Sequence, residues 1–126
     1  DLYLDTFTFN AGAIANDALW CGLPVLTRQG QGYVARMASS LLTAIDLPEL
    51  ITTNEGDYEI RALELASNSE KLDSIKARMT VNKNKTSLFD TERFTKNIES
   101  AYTQIYAKYF AGENPESIHV NEYKTH

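Results

Sequence analysis

The chain has 126 residues, 43% of them hydrophobic and 23% charged, with 12 basic side chains against 17 acidic ones for a net charge of −5. That length fits one domain able to bury roughly two thirds of its unfolded surface, and the composition is that of a soluble globular protein. No apolar run is long enough to cross a bilayer, and the acidic balance offers no basic field to gather the phosphates of a nucleic acid.

In chain order, the opening "LYLDTFTF" reads as a strand, ended by the turn residues Asn10 to Gly12. A short helix over Ala13 to Cys21 follows, closed by Gly22. "LPVLT" is a short buried strand that starts at a proline, where a missing N–H does little harm, and "RQGQG" is a loop. From Tyr33 the residues Met37, Leu41 and Ile45 recur at helical spacing, with Ala38 and Leu42 widening the apolar stripe. "LPELIT" is a turn and a third strand. Asn54 then caps a helix carrying Tyr58, Ile60, Leu63 and Ala66, and Leu72, Ile75 and Met79 mark another. "NKNKTSLF" is a loop, Asp90 is an acidic N-cap, and Phe94, Ile98, Ala101, Tyr102, Ile105 and Tyr109 hold helical spacing until Gly112 and Pro115. The tyrosines of this helix are expected in core or interdomain packing.

The alternation of strand and helix predicts an α/β fold, a Rossmann-like parallel sheet with helical crossovers. Residues 1–110 are expected to form this domain and 111–126 a tail. Three strands make a small sheet with a free edge, so further strands are expected ahead of Asp1, in a longer polypeptide of which this is a cut piece. The opening shows neither the basic start nor the cleavage signal of a secretory peptide, which places the chain in the cytoplasm as an expectation.

Several residues invite chemical readings. Cys21 stands alone, which excludes an internal disulfide and a cysteine-rich metal site; among Leu19, Trp20 and Leu23 it is expected to be buried packing. Trp20 and Leu19 are expected to pack the first helix on the sheet. The basic run "KARMTVNKNK" falls where a helix ends and complements its dipole. His119 and His126 lie in the polar tail, far from any acid cluster, and read as neither ligands nor bases.

The stretch "NAGAIAND" sits where ligands of open parallel sheets lie, beyond a strand's carboxyl end and at a helix N-terminus. The amides of Ala13, Ile14 and Ala15 would be unpaired in the first turn and, with the dipole, can hold an anion such as a pyrophosphate. Ala11 and Gly12 allow close approach, and Asp17 can accept hydrogen bonds from ribose hydroxyls. A simple strand-to-helix turn, with Asp17 favoured by the dipole alone, fits the same residues. Arg36 either reaches the cleft or pairs with Asp46 or Glu49.

The run "LDTFTFNAGAIANDALWCGLPVLT", with "ARMASSLLTAIDLPELI", "DYE", "SLFDTERFT" and "YAKYFAGENPESIHV", resembles the C-terminal catalytic region of the O-GlcNAc transferase and SPINDLY-like glycosyltransferases. The similarity runs from Leu4 to about Val120 with several motifs in order. It implies part of the second, donor-binding half of a GT-B enzyme, with the acceptor half and tetratricopeptide repeats elsewhere in the polypeptide. It also implies metal-free, inverting transfer of N-acetylglucosamine from UDP-GlcNAc to protein Ser/Thr, and no cofactor. By position, Asp17 matches the family acid that binds the donor ribose, and Asn10, Gly12, Ala13 and Ile14 fall on the diphosphate loop. The family's two threonines are here Ala13 and Ile14, which leaves the phosphate contacts to backbone amides at a cost of roughly 1 kcal/mol per lost hydrogen bond. In "TRQGQGYVAR" Gly30 and Arg36 are kept as cleft residues, whereas Gln29 and Gln31 depart from the family's proline-glycine-glutamate loop. No catalytic residue is assigned within the chain. Two other functions stand beside this one: a non-catalytic interaction scaffold, and a transferase using another donor such as GDP-fucose.

Overall fold

The structure, a computed structural model, describes residues 1–121; His126 therefore lies outside the described residues. The chain forms two compact units, Asp1–Leu88 and a second from Phe89 onward. The division falls at the end of the polar stretch "NKNKTSLF", ahead of the last helix.

In the first unit three parallel strands, β1 (Tyr3–Leu4), β2 (Val25–Arg28) and β3 (Ile51–Thr52), lie in the order β1-β2-β3. Tyr3 sits opposite Val25, and Thr27 opposite Ile51. Helices α1 (Ala13–Trp20) and α2 (Met37–Ala44) connect them, and α3 (Glu55–Ser67) and α4 (Ser69–Asn82) follow. On β2, Val25, Leu26 and Thr27 are all fully buried. Successive strand residues point to opposite faces, so this central strand is covered on both sides, as parallel sheets require. α1 and α2 pack on each other and on β2; α3 packs on β2, β3 and α4.

Local signals account for the helix ends. α1 closes at Gly22, whose φ of +87° is the left-handed conformation that glycine adopts without strain. Asn54 accepts from the Asp57 amide to start α3, and Asn68 accepts from the Lys71 amide to start α4 directly behind it. Gly30 serves a different need: its amide donates to the Ala35 carbonyl at 2.8 Å, and a Cβ placed on it would stand 2.7 Å from the Ala35 Cβ.

Tertiary packing revises five local readings. The first strand is two residues long, not eight, because Asp5 diverts the chain by taking the Thr6 and Ala11 amides. On α2 the expected Ala38, Leu42 and Ile45 are buried, with Ser39 and, ahead of the helix, Ala35 beside them, while Met37 and Leu41 are half-buried and Tyr33 is exposed. On α3 the buried residue is Leu65, while Ile60 and Leu63 face outward. Cys21 is exposed. Of the pair at the end of α1, Leu19 is buried but Trp20 is exposed, its ring covered by the Lys83 ammonium at 4.3 Å.

In the second unit, Asp90 accepts from the Arg93 amide and opens α5 (Thr91–Phe110). Lys108 pairs with Glu113 and Glu116 just past the helix, where Gly112 takes φ +71°. No residue of α5 is buried, and Phe94, Tyr102, Ile105 and Tyr109 are exposed.

Gly30→Ala forces the Cβ into Ala35, and such overpacking costs roughly 1–3 kcal/mol. Urea denaturation should show this loss; an unchanged midpoint would mean that the loop relaxes freely.

Candidate functional site

In a parallel sheet all strand-to-helix loops emerge at one edge. Here these are residues 5–12 after β1, 29–33 after β2 and 53–54 after β3.

The β1–α1 loop is tied from inside by Asp5, which is 4% exposed. Its Oδ1 accepts from the Thr6 amide at 2.9 Å and the Ala11 amide at 2.8 Å, and its Oδ2 accepts from the Thr27 hydroxyl at 2.7 Å. Thr52 extends the chain of bonds, its hydroxyl donating to the Thr27 carbonyl at 2.9 Å. A buried ionised carboxylate is tolerated only when its oxygens are satisfied, as these are. Asn10, 1% exposed, ties the far end of the loop: its amide group donates to the Thr6 carbonyl at 2.7 Å and its Oδ1 accepts from the Ala38 amide at 3.3 Å. The Asn10 side chain is thus spent inside the protein, on the seam between the loop and α2.

The outer side of the loop is held by an aromatic and cationic cluster. Phe7 packs edge-on against Tyr58 with ring centroids 4.9 Å apart, and the Arg28 guanidinium lies over the Phe7 ring at 4.5 Å. Arg28 also pairs with Glu55 at 3.0 Å, and the Tyr58 hydroxyl donates to the Asp5 carbonyl at 3.0 Å.

Past this framework α1 begins. Gly12 is its N-cap and gives no side-chain hydrogen bond, and the first turn holds no acid. The first intrahelical bond runs from the Asn16 amide to the Gly12 carbonyl at 3.0 Å, so helix geometry leaves the Ala13, Ile14 and Ala15 amides without intrahelical partners. α3, α4 and α5, by contrast, are all capped by an Asn or Asp side chain. Ala13, Ile14 and Asp17 are exposed, and their spacing of three and four residues puts them on one helix face; Ala15 and Leu19 are buried on the other. The structure therefore brings together Gly12, Ala13, Ile14 and Asp17, and separates the Asn10 side chain from them.

Gly12 lies beside α2, where a Cβ would meet Met37 at 3.7 Å. Met37 and Arg36 line an open cleft of about 620 Å3 with Gln29, Tyr33 and Ser40. Gly30 shapes the neighbouring loop through its approach to Ala35. Of the two acids that Arg36 was expected to meet as the alternative to the cleft, Glu49 pairs with Arg78. Among the described residues no helix is long and apolar enough to cross a membrane, and no group of three His, Cys, Asp or Glu side chains stands together as a metal site.

Asp5, Phe7, Thr27, Arg28 and Tyr58 were not legible as site residues. The one sequence signal for Asp5 is its place: an acid at an inward position of a strand pattern, followed by a threonine on the next strand.

Comparison with known proteins adds to this geometry. The family model for glycosyl transferase family 41 matches residues 1–98. The chain is 31% identical over 115 residues, 91% of its length, to a probable UDP-N-acetylglucosamine–peptide N-acetylglucosaminyltransferase SPINDLY of Solanum lycopersicum. It is 32% identical over 123 residues to the similarly named protein SEC of Arabidopsis thaliana. It spans 12% of the first relative and 13% of the second. Among solved structures, an O-GlcNAc transferase mutant of Thermobaculum terrenum superposes with a TM-score of 0.78 at 30% identity, over 83% of this chain and 20% of that one.

The Tyr58 contact makes a pH prediction. Burial, and after it the negative charge of Asp5, holds the Tyr58 hydroxyl above its ordinary value of 10.0. A raised value favours the neutral form in the folded state, so this stabilisation is complete below pH 10 and lost as pH rises through the raised value. Tyr58→Phe should lower stability by about 0.5–1.5 kcal/mol near neutral pH through the lost hydrogen bond. In thermal melts the gap between the two proteins should narrow above pH 10; a constant gap would contradict the assignment.

Proposed function

The chain belongs to glycosyl transferase family 41, and we propose on that premise that it is the donor-binding segment of an inverting protein O-glycosyltransferase. In this reading the whole enzyme passes N-acetylglucosamine from UDP-GlcNAc to serine or threonine hydroxyls of proteins. The activity for which the plant relatives are named supports the donor and acceptor classes. The observation that carries the reading for this chain is the uncapped start of α1 at Gly12, with Ala13, Ile14 and Asp17 on one exposed face.

The mechanism follows from where charge grows. In sugar transfer from a nucleoside diphosphate, negative charge builds on the departing diphosphate, and amides already aimed at that place stabilise it without reorganising. The Ala13 and Ile14 amides and the positive end of the α1 dipole supply this stabilisation. Asp17, one turn along, accepts the ribose hydroxyls. The Arg36 cleft beside Gly12 receives the remainder of the substrate. No residue here is assigned as the base that activates the acceptor; that group and the acceptor-binding half belong to other parts of a longer polypeptide, together with tetratricopeptide repeats. The 126-residue chain alone is accordingly expected to bind donor without transferring sugar.

A second reading is favoured by one observation: Ala13 and Ile14 present no hydroxyl to a phosphate, as expected of a relative that has lost the donor and serves as a scaffold. Titrating UDP to millimolar concentration while following backbone amide resonances separates the two. The donor-binding reading expects saturable shifts at Gly12 to Asp17, and about tenfold weaker binding in Asp17→Ala, equivalent to about 1.4 kcal/mol. Absence of shifts at millimolar UDP favours the scaffold. A parallel titration with GDP distinguishes a different donor base.

A further inference from the structure

We propose that Asp5 is a positioning residue for the diphosphate-binding amides of α1, an inference that rests on the donor-binding reading above. Asp5 is too buried to touch a ligand, at 4% exposure, and both its carboxylate oxygens are occupied by protein donors. What it does is set where the ligand-binding amides begin. Its Oδ1 bridges the Thr6 and Ala11 amides and so closes the loop over residues 6–11 at both ends. The Ala11 amide immediately precedes Gly12, the N-cap of α1. The row of amides is therefore divided: Ala11 points inward to the carboxylate, and those of the exposed Ala13 and Ile14 are left at the open helix end.

The Oδ2 bond to Thr27 makes this placement relative to the sheet rather than to the loop alone. Thr27 is fully buried on the central strand and is itself bound through its carbonyl to Thr52 of β3. The Asp5 side chain thus adds a direct reference to the centre of the sheet beside the backbone bond from the Asp5 amide to the Leu26 carbonyl at 3.0 Å. This matters more here than in a loop with hydroxyl side chains, because Ala13 and Ile14 offer none. Backbone amides cannot rotate to meet a misplaced phosphate as a threonine hydroxyl can, so the loop itself has to be held in place.

The chemistry at position 5 ranks the variants. Asp5→Asn keeps one oxygen to bridge the two amides and turns its NH2 toward Thr27, whose hydroxyl can accept. Asp5→Ala removes all three side-chain bonds and keeps the backbone ones. Thr27→Val leaves the loop bridge but cuts the side-chain link to the sheet.

The experiment measures UDP affinity of the whole chain by amide titration for these three variants. Met79→Ala, which destabilises the core through the buried Met79 of α4, is the comparison for a purely structural loss. The proposal expects Asp5→Ala to weaken UDP at least tenfold, Thr27→Val severalfold, Asp5→Asn to stay within threefold of the parent, and Met79→Ala within twofold. Asp5→Ala binding UDP like the parent overturns it, and so does Met79→Ala losing as much affinity as Asp5→Ala. Should Asp5→Ala not fold, Thr27→Val decides, and parent-like affinity there is equally fatal. If the parent chain itself shows no UDP shifts, the donor-binding reading fails and this inference falls with it, an outcome distinct from parent binding that survives the loss of Asp5.

Discussion

Taking an ionised carboxylate out of water costs several kcal/mol unless donors replace the lost solvent. At Asp5 two backbone amides and one hydroxyl supply that replacement, at 2.7 to 2.9 Å. Hydrogen bonds to a charged group contribute roughly 1.5–3 kcal/mol each, so three together are of the size needed to offset burial. The consequence is a constraint on everything nearby: β1 must end at Leu4, the loop must fold back to Ala11, and Thr27 must face inward on β2. Each of these is a condition for keeping the charge satisfied.

The remaining architecture fits around that constraint. β2 is covered on both faces and carries the anchor for Asp5, while its last residue, Arg28, leaves the core and lies over Phe7. The loop is thereby gripped from within by polar bonds and from without by the Phe7, Arg28 and Tyr58 cluster. Asn10 closes the side toward α2. A loop held on three sides, leading into a helix without a cap, is an arrangement in which helix amides stay available to an anion instead of being consumed by the chain's own side chains.

The departures from the sequence reading share one cause. Ile60 and Leu63 on α3, and Met37 and Leu41 on α2, have helical spacing and lie in real helices, yet the first two are exposed and the second two only half-buried. Spacing identifies the helix but does not say which of two neighbouring apolar lines meets the core. Leu65 and Ala38 were chosen by what stands opposite them. Trp20 and Cys21 differ for the same reason: at the end of α1 Leu19 takes the buried side, and the two residues after it face outward, where Lys83 covers the indole.

What the sequence determined by itself were the features whose causes lie within a few residues: the alternation of strands and helices, the caps at Asn54 and Asp90, the stop at Gly22, and the bare start of α1 after "NAG". The motifs of the family were legible in the same way. Only the tertiary structure decided the parts that join distant segments. Thr27 stands 22 positions from Asp5 and Tyr58 stands 53 positions away, yet both close on it. Propensity and capping act along the chain over one or two helical turns, whereas satisfying a buried charge depends on which strands and helices the folded chain has brought beside it.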